Sequence, residues 1–251
     1  MDIKRNALAI NSILIVIATS IISTILHESA HYTAGLYFGS QPELHHNYVS
    51  HLVEIGRGQS AIEAAAGPLF SLLLGVIITF FAIKTVKPSL FKLFLQWLGM
   101  GNILTFLGYM LIAPIAKNGD TGRVFDYLGV PIYISIALAI LSFIFINWLF
   151  AKFATEFVFY KNDEIFNQNE TKKQLFVYPI YGSIILMTLL NLPIVTWVSL
   201  LPTIFMPMTY FGTMGKYRRL TITDAPVLID SISYPLAALC VLSIALFRFL
   251  V

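Results

Sequence analysis

From Leu175 to Gly215 the chain runs without one charged side chain. As a single helix that stretch would be about 60 Å long, twice the roughly 30 Å hydrocarbon core of a bilayer. Pro193, Pro202 and Pro207 interrupt it, and each removes a backbone donor and disrupts a helical turn. The stretch therefore reads as two spans, or as one span and a re-entrant piece, because irregular backbone at membrane depth must be sheltered by protein. Across its 251 residues the chain is 57% hydrophobic and only 12% charged, with a mean hydropathy of +0.79. A soluble domain keeps about a quarter of its residues charged, so this chain must hide surface in lipid.

Further largely apolar runs of about 20 residues, the length that crosses a bilayer, extend from Ala7 to Leu26, Ala61 to Ile83, Leu93 to Ile115, Pro131 to Ala151 and Ile229 to Leu250, with only Glu63, Asp230 and Arg248 charged among them. The helix of the first is expected to continue to about Leu36. The pattern predicts an all-α polytopic membrane protein, a bundle of six or seven transmembrane helices. Residues 1–128 form a core of three spans, and residues 129–251 add further helices to the same domain. There is no internal repeat and no low-complexity tract. The first run follows Lys4 and Arg5, as a signal peptide would. It is too long for one and has no small-residue cleavage site, so it reads as an uncleaved span.

Charge bias orients the bundle. Lys4, Arg5, Lys84, Lys87, Lys92, Lys152, Lys161, Lys172 and Lys173 fall on one side, against Arg57, Lys117 and Arg123 on the other. This places the N-terminus in the cytosol and the ends of the first and third spans outside. The net charge of +3 is scattered and forms no basic face, which argues against nucleic acid. The single cysteine, Cys240, lies in an apolar run and reads as a small buried hydrophobe.

At the end of the first run stands His27-Glu28-Ser29-Ala30-His31. Histidines four apart share one helix face, about a turn from each other, and can grip one tetrahedral zinc ion. Glu28, beside the first histidine, is placed to take a proton from a water at the metal rather than to bind the metal. Chance places an HExxH in well under ~1% of such chains, and ionisable groups beside lipid usually mark function. Zinc needs a third protein ligand. His45, His46, His51, Asp120, Asp224 and Asp230 are candidates. Asp120 is favoured, because it follows the third span and odd-numbered spans end on the same side.

These residues resemble the site-2 protease family of intramembrane zinc metalloproteases. His27 to His31 match its metal motif. Ala66-Gly67-Pro68-Leu69-Phe70-Ser71 is similar to its Ala-Gly-Pro-x-x-Asn element, with Ser71 in place of Asn. Pro114, Asp120 and Gly122 resemble its Asn-x-x-Pro-x-x-x-x-Asp-Gly motif. Here Leu111 stands where the family has Asn, the Pro-to-Asp spacing is one residue longer, and Thr121 separates Asp120 from Gly122. The likeness spans roughly residues 20 to 125.

The resemblance implies a zinc protease that hydrolyses membrane-embedded or membrane-associated protein substrates. Its metal would be held by His27, His31 and Asp120, with Glu28 as the base. Gly67, Pro68 and Ser71 would position substrate, with Asn118, or Asn102, standing in for the missing Asn. It also implies that the loop from Phe38 to Ser60 forms a re-entrant strand or hairpin, although its sequence suits an exposed loop equally well. The family usually sets its HExxH end nearer the cytosol, whereas charge bias here sets it outward. Other readings of the same residues are a zinc-binding protein without protease activity, a transporter with an ionisable relay, and a protease of soluble peptides. Partners other than substrate and the bilayer are not implied.

Overall fold

The structure, a computed structural model, describes residues 3–162, 167–192, 211–221 and 226–250. Helix α1 (Ile3–Phe38) runs unbroken for 36 residues, about 54 Å. It contains no proline, and its first glycine is Gly35. Gly39 stops it, adopting φ 77°, a conformation that costs glycine little. The Gly39 amide donates to the Leu36 carbonyl at 3.1 Å, and the Ser40 amide to that of Gly35 at 3.0 Å, which satisfies the last carbonyls of the helix.

Strands β1 (Pro42–Leu44) and β2 (Val49–His51) then form an antiparallel hairpin, with Pro42 opposite His51 and Leu44 opposite Val49. Helix α2 (Arg57–Thr85) and helix α3 (Leu90–Ile112) follow, then a short α4 (Asp120–Tyr127) and α5 (Ile132–Phe153). A 3₁₀ turn (Ala154–Glu156) leads to β3 (Tyr160–Lys161), which pairs in parallel with β4 (Val227–Leu228). Helix α6 (Gln168–Lys172), a π turn (Lys173–Val177) and α7 (Tyr178–Leu190) follow one another directly. Last come α8 (Phe211–Tyr217) and α9 (Tyr234–Phe249).

Five of these segments are long and apolar enough to cross a membrane: Lys4–Phe38, Arg57–Thr85, Leu90–Ile112, Ile132–Glu156 and Gln168–Leu190. Helix α9 is apolar but has 16 residues, about 24 Å. The expectation of a mostly helical chain with several helices long and apolar enough to cross a membrane therefore holds. Its count stands, among the described residues, at five long helices and one shorter one. The break in the long uncharged run, with Pro193, Pro202 and Pro207, lies outside the described residues. The fifth span begins at Gln168, ahead of the uncharged run that opens at Leu175, and the last helix begins at Tyr234 rather than Ile229.

Helix α1 is the axis of the bundle. It packs against α2, α3, α7 and α9, while α5 packs on α3 and α8. Within lipid there is no hydrophobic driving force between helices, so close backbone approach and polar contacts must hold them. Helices α2 and α3 cross at small residues. A methyl group on Gly75 would lie 2.6 Å from the Ile103 amide nitrogen, and one on Gly99 would lie 2.4 Å from Thr79 Oγ1. At the far end of α3 the buried Lys92 pairs with Glu156 at 2.9 Å, and Gln96 donates to the same carboxylate at 3.1 Å. Helices α2 and α5 present Leu69, Leu73, Ile77, Ile140 and Phe143 outward, as spans facing lipid do.

Candidate metal centre

The helical repeat of α1 sets His27 and His31 one turn apart, and the two ring Nε2 atoms lie 3.1 Å from each other. Asp120 opens α4, just beyond the C-terminal end of α3. Its Oδ2 reaches both rings, 3.1 Å from His27 Nε2 and 3.2 Å from His31 Nε2. The three atoms form a nearly equilateral triangle, and both histidine side chains are buried. This group can hold a metal ion.

The hydrogen bonds behind the rings decide what the triangle presents. His31 Nδ1 donates to the Glu63 backbone carbonyl at 2.8 Å, with Glu63 Oε1 a further 3.4 Å contact. A carbonyl only accepts, so in the neutral ring Nε2 of His31 carries the lone pair. His27 Nδ1 lies 3.1 Å from Ser71 Oγ. With that oxygen accepting, Nε2 of His27 also offers a lone pair. Two lone pairs and a carboxylate oxygen then converge, an arrangement that a bound cation, or a proton on one of the rings, stabilises. Ligands at the zinc distances of 2.0–2.1 Å in a tetrahedron stand about 3.3 Å apart, close to the observed edges, so the residues fit a zinc-sized ion.

Helix α2 provides the floor. A Cβ on Gly67 would stand 2.3 Å from His31 Nε2 and 2.7 Å from His27 Nε2, so only glycine lets the helix come this close. Pro68 has no N–H to give the Ala64 carbonyl one turn earlier, and beside it the Glu63 carbonyl accepts from His31. Ser71, one turn on, is fully buried against His27.

Around this core lie residues that sequence reasoning missed. Tyr109 stacks on His27, with ring centroids 5.1 Å apart and planes 3° from parallel, and its hydroxyl lies close to Asp120. Arg123 bridges two carboxylates, Nη1 to Glu63 Oε2 at 3.2 Å and Nη2 to Asp120 Oδ1 at 3.4 Å. Glu63 also meets His51 Nε2 at 3.6 Å, and Ser40 Oγ lies 2.9 Å from His51 Nδ1. The hairpin is thereby tied to the metal group through β2. A lone buried glutamate in an apolar run was the one available signal for Glu63; for Tyr109 there was none.

Glu28 is buried beside His27, and its carboxylate lies within electrostatic reach of His31, Asp120, Glu63 and Arg123. Burial would raise the Asp120 carboxyl, but His31 and His27 beside it hold it well below the usual range, so it meets a metal as an anion. Among the described residues His27, His31 and Asp120 form the only group of His, Cys, Asp or Glu able to share one ion.

Of the other candidates, His45 stacks on Tyr48 and lies 3.2 Å from Ser50 Oγ. His46 is buried against Phe247. His51 stands behind Glu63, and Asp230 lies beyond β4 near the start of α1, where Asn11 bonds Ser231. Asp224 lies outside the described residues. Asn102 is buried, donating to Ser23 Oγ and the Leu98 carbonyl, and Asn118 is exposed in the turn before Asp120. Compared with known proteins, the chain matches no family model, no curated protein and no solved structure.

Proposed function

We propose that this protein is a metal-dependent hydrolase working within a membrane bundle, and more narrowly an intramembrane zinc protease like those of the site-2 protease family. One observation carries the reading. Two imidazole nitrogens and one carboxylate oxygen converge within 3.1–3.2 Å of one another, and a buried glutamate stands next to the first ligand, on a helix apolar enough to span lipid.

When bound, zinc supplies Lewis-acid polarisation of a carbonyl and lowers the pKa of water toward about 7. The chain does the rest. Glu28 accepts a proton at its carboxylate and returns one to the leaving amine. Ser71 and the Glu63 carbonyl fix the planes of His27 and His31, and Arg123 with Tyr109 fixes Asp120. Gly67 keeps the approach to the rings clear. The pairing of β2 with the Glu63 network places an extended backbone beside the group, where an unwound substrate segment can add as a strand. The substrate class is a protein with an apolar segment, because long apolar faces surround the site.

The test is metal analysis of the purified chain together with cleavage of a reporter carrying a transmembrane segment. Glu28→Gln is expected to retain one zinc per chain and to lose cleavage by about 10²–10⁴-fold, the range for a general base. Asp120→Ala is expected to lose zinc. Zinc in the wild-type without cleavage of any membrane reporter would identify a metal-binding protein that is not a protease. Asp120→Ala with full zinc would overturn the ligand set.

A further inference from the structure

At the opposite end of α1 from the metal group lies a small polar cavity of ≈ 130 Å³, lined by Asn167, Gln168, Asn169, Lys172, Tyr217 and Arg218. Its place is set by hydrogen bonds to the first turns of α1. Gln174 Nε2 donates to the Arg5 carbonyl at 3.0 Å, and Asn162 Nδ2 to the Lys4 carbonyl at 2.7 Å. Gln168 closes the wall by donating to the Tyr217 and Leu220 carbonyls. The cavity therefore sits where the fifth span, which starts at Gln168, leaves the membrane.

Lys172 is 6% exposed. A lysine with so little of its side chain exposed is normally paired, because taking its charge out of water is costly. Among the described residues no carboxylate pairs with Lys172 or Arg218. Glu170, the nearest acid in sequence, is held by Lys173 at 3.0 Å and by the Tyr178 hydroxyl at 3.2 Å. Two cations and amide groups thus line a partly open polar space that, among the described residues, no anion answers. The cavity has room for one phosphate group.

We propose that this cavity is a phosphate-binding site at the membrane surface, with Lys172 and Arg218 as its cationic contacts. The phosphate is that of an anionic lipid headgroup or free phosphate ion. Basic pockets between spans at the membrane surface suit the first source. The inference is independent of the metal centre, and its test involves neither metal nor proteolysis.

The full chain in mild detergent is offered equal amounts of phosphatidylglycerol and phosphatidylcholine, and bound lipid is counted by native mass spectrometry. In parallel, thermal melting is followed with inorganic phosphate or chloride at equal ionic strength. Preferential retention of phosphatidylglycerol, reduced about five- to tenfold by Arg218→Gln and by Lys172→Met but unchanged by Lys216→Gln, supports the site and assigns it to lipid. Lipid indifference, with phosphate raising the wild-type melting temperature but not that of the two variants, supports the site and assigns it to free phosphate. Equal loss on Lys216→Gln, which lies outside the cavity, would reduce the effect to general surface charge and overturn the proposal. So would the absence of both lipid preference and phosphate stabilisation. Arg218 is exposed, so its variant keeps the test decisive if Lys172→Met fails to fold.

Discussion

Replacing Gly67 with alanine adds one methyl group at the point where His27, His31 and Asp120 converge. The new Cβ would stand 2.3 Å from His31 Nε2 and 2.7 Å from His27 Nε2, short of the 3.4 Å of ordinary contact by 1.1 Å and 0.7 Å. Metal sites tolerate about ±0.2 Å in ligand distance, so both imidazoles would be pushed out of bonding range. If α2 retreats instead, Ser71 leaves His27 and the Glu63 carbonyl leaves His31, and both rings lose their orientation. Either way zinc affinity is expected to fall at least about 1,000-fold, roughly 4 kcal/mol. Alanine favours a helix over glycine by about 1 kcal/mol, so the fold should remain. The assay is zinc content and competition with a chelator of known affinity, beside circular dichroism and size-exclusion behaviour in the same detergent. A folded Gly67→Ala chain holding one zinc with wild-type affinity would refute the placement of α2 over the rings.

Tyr109→Phe keeps the stack on His27 but removes the hydroxyl from Asp120, so zinc affinity should drop about tenfold, the lower bound for losing a partner behind a ligand; chelator competition reads this directly. Arg123→Ala strips the cation from Glu63, which is 1% exposed. The loss should be roughly 1–3 kcal/mol, below that for a fully buried pair because the Arg123 side chain is 36% exposed, and would appear as a lower melting temperature. The His46 ring at the hairpin tip is lowered from its ordinary 6.5 by burial, with Arg248 and His45 adding to it. Folding thus disfavours its protonated form, so the packing of the tip on Phe247 is fully present above that value and weakens as the pH falls below it. Hydrogen exchange at residues 45–48, corrected for intrinsic rate, should rise between pH 7 and 5, and His46→Phe should remove that dependence; protection that ignores pH in this window would contradict it.

The long apolar helices and two members of the candidate metal group were legible in the chain because both are local signals. An uncharged run of membrane length needs no tertiary information, and neither does a pair of histidines four residues apart on one helix face. Asp120 needed one step more, the rule that odd-numbered spans end together, and the structure brings it to the rings. Where the reading went astray it was for want of the same locality. The fifth span begins in a stretch rich in Asn, Gln and Lys, whose polar groups are taken up by α1, α8 and one another in ways hydropathy does not register.

What surrounds the metal ligands was decided by the tertiary structure. Ser71, Glu63 and Tyr109 come from two other helices and lie from 32 to 82 residues away from the histidines they contact, and Arg123 comes from a third. Their arrival depends on how closely α2 approaches α1 at Gly67, and on the crossing of α2 with α3 at Gly75 and Gly99. The repeat of a helix sets which residues share a face. Which neighbour that face meets, and at what depth, follows only from the packing of whole helices against one another.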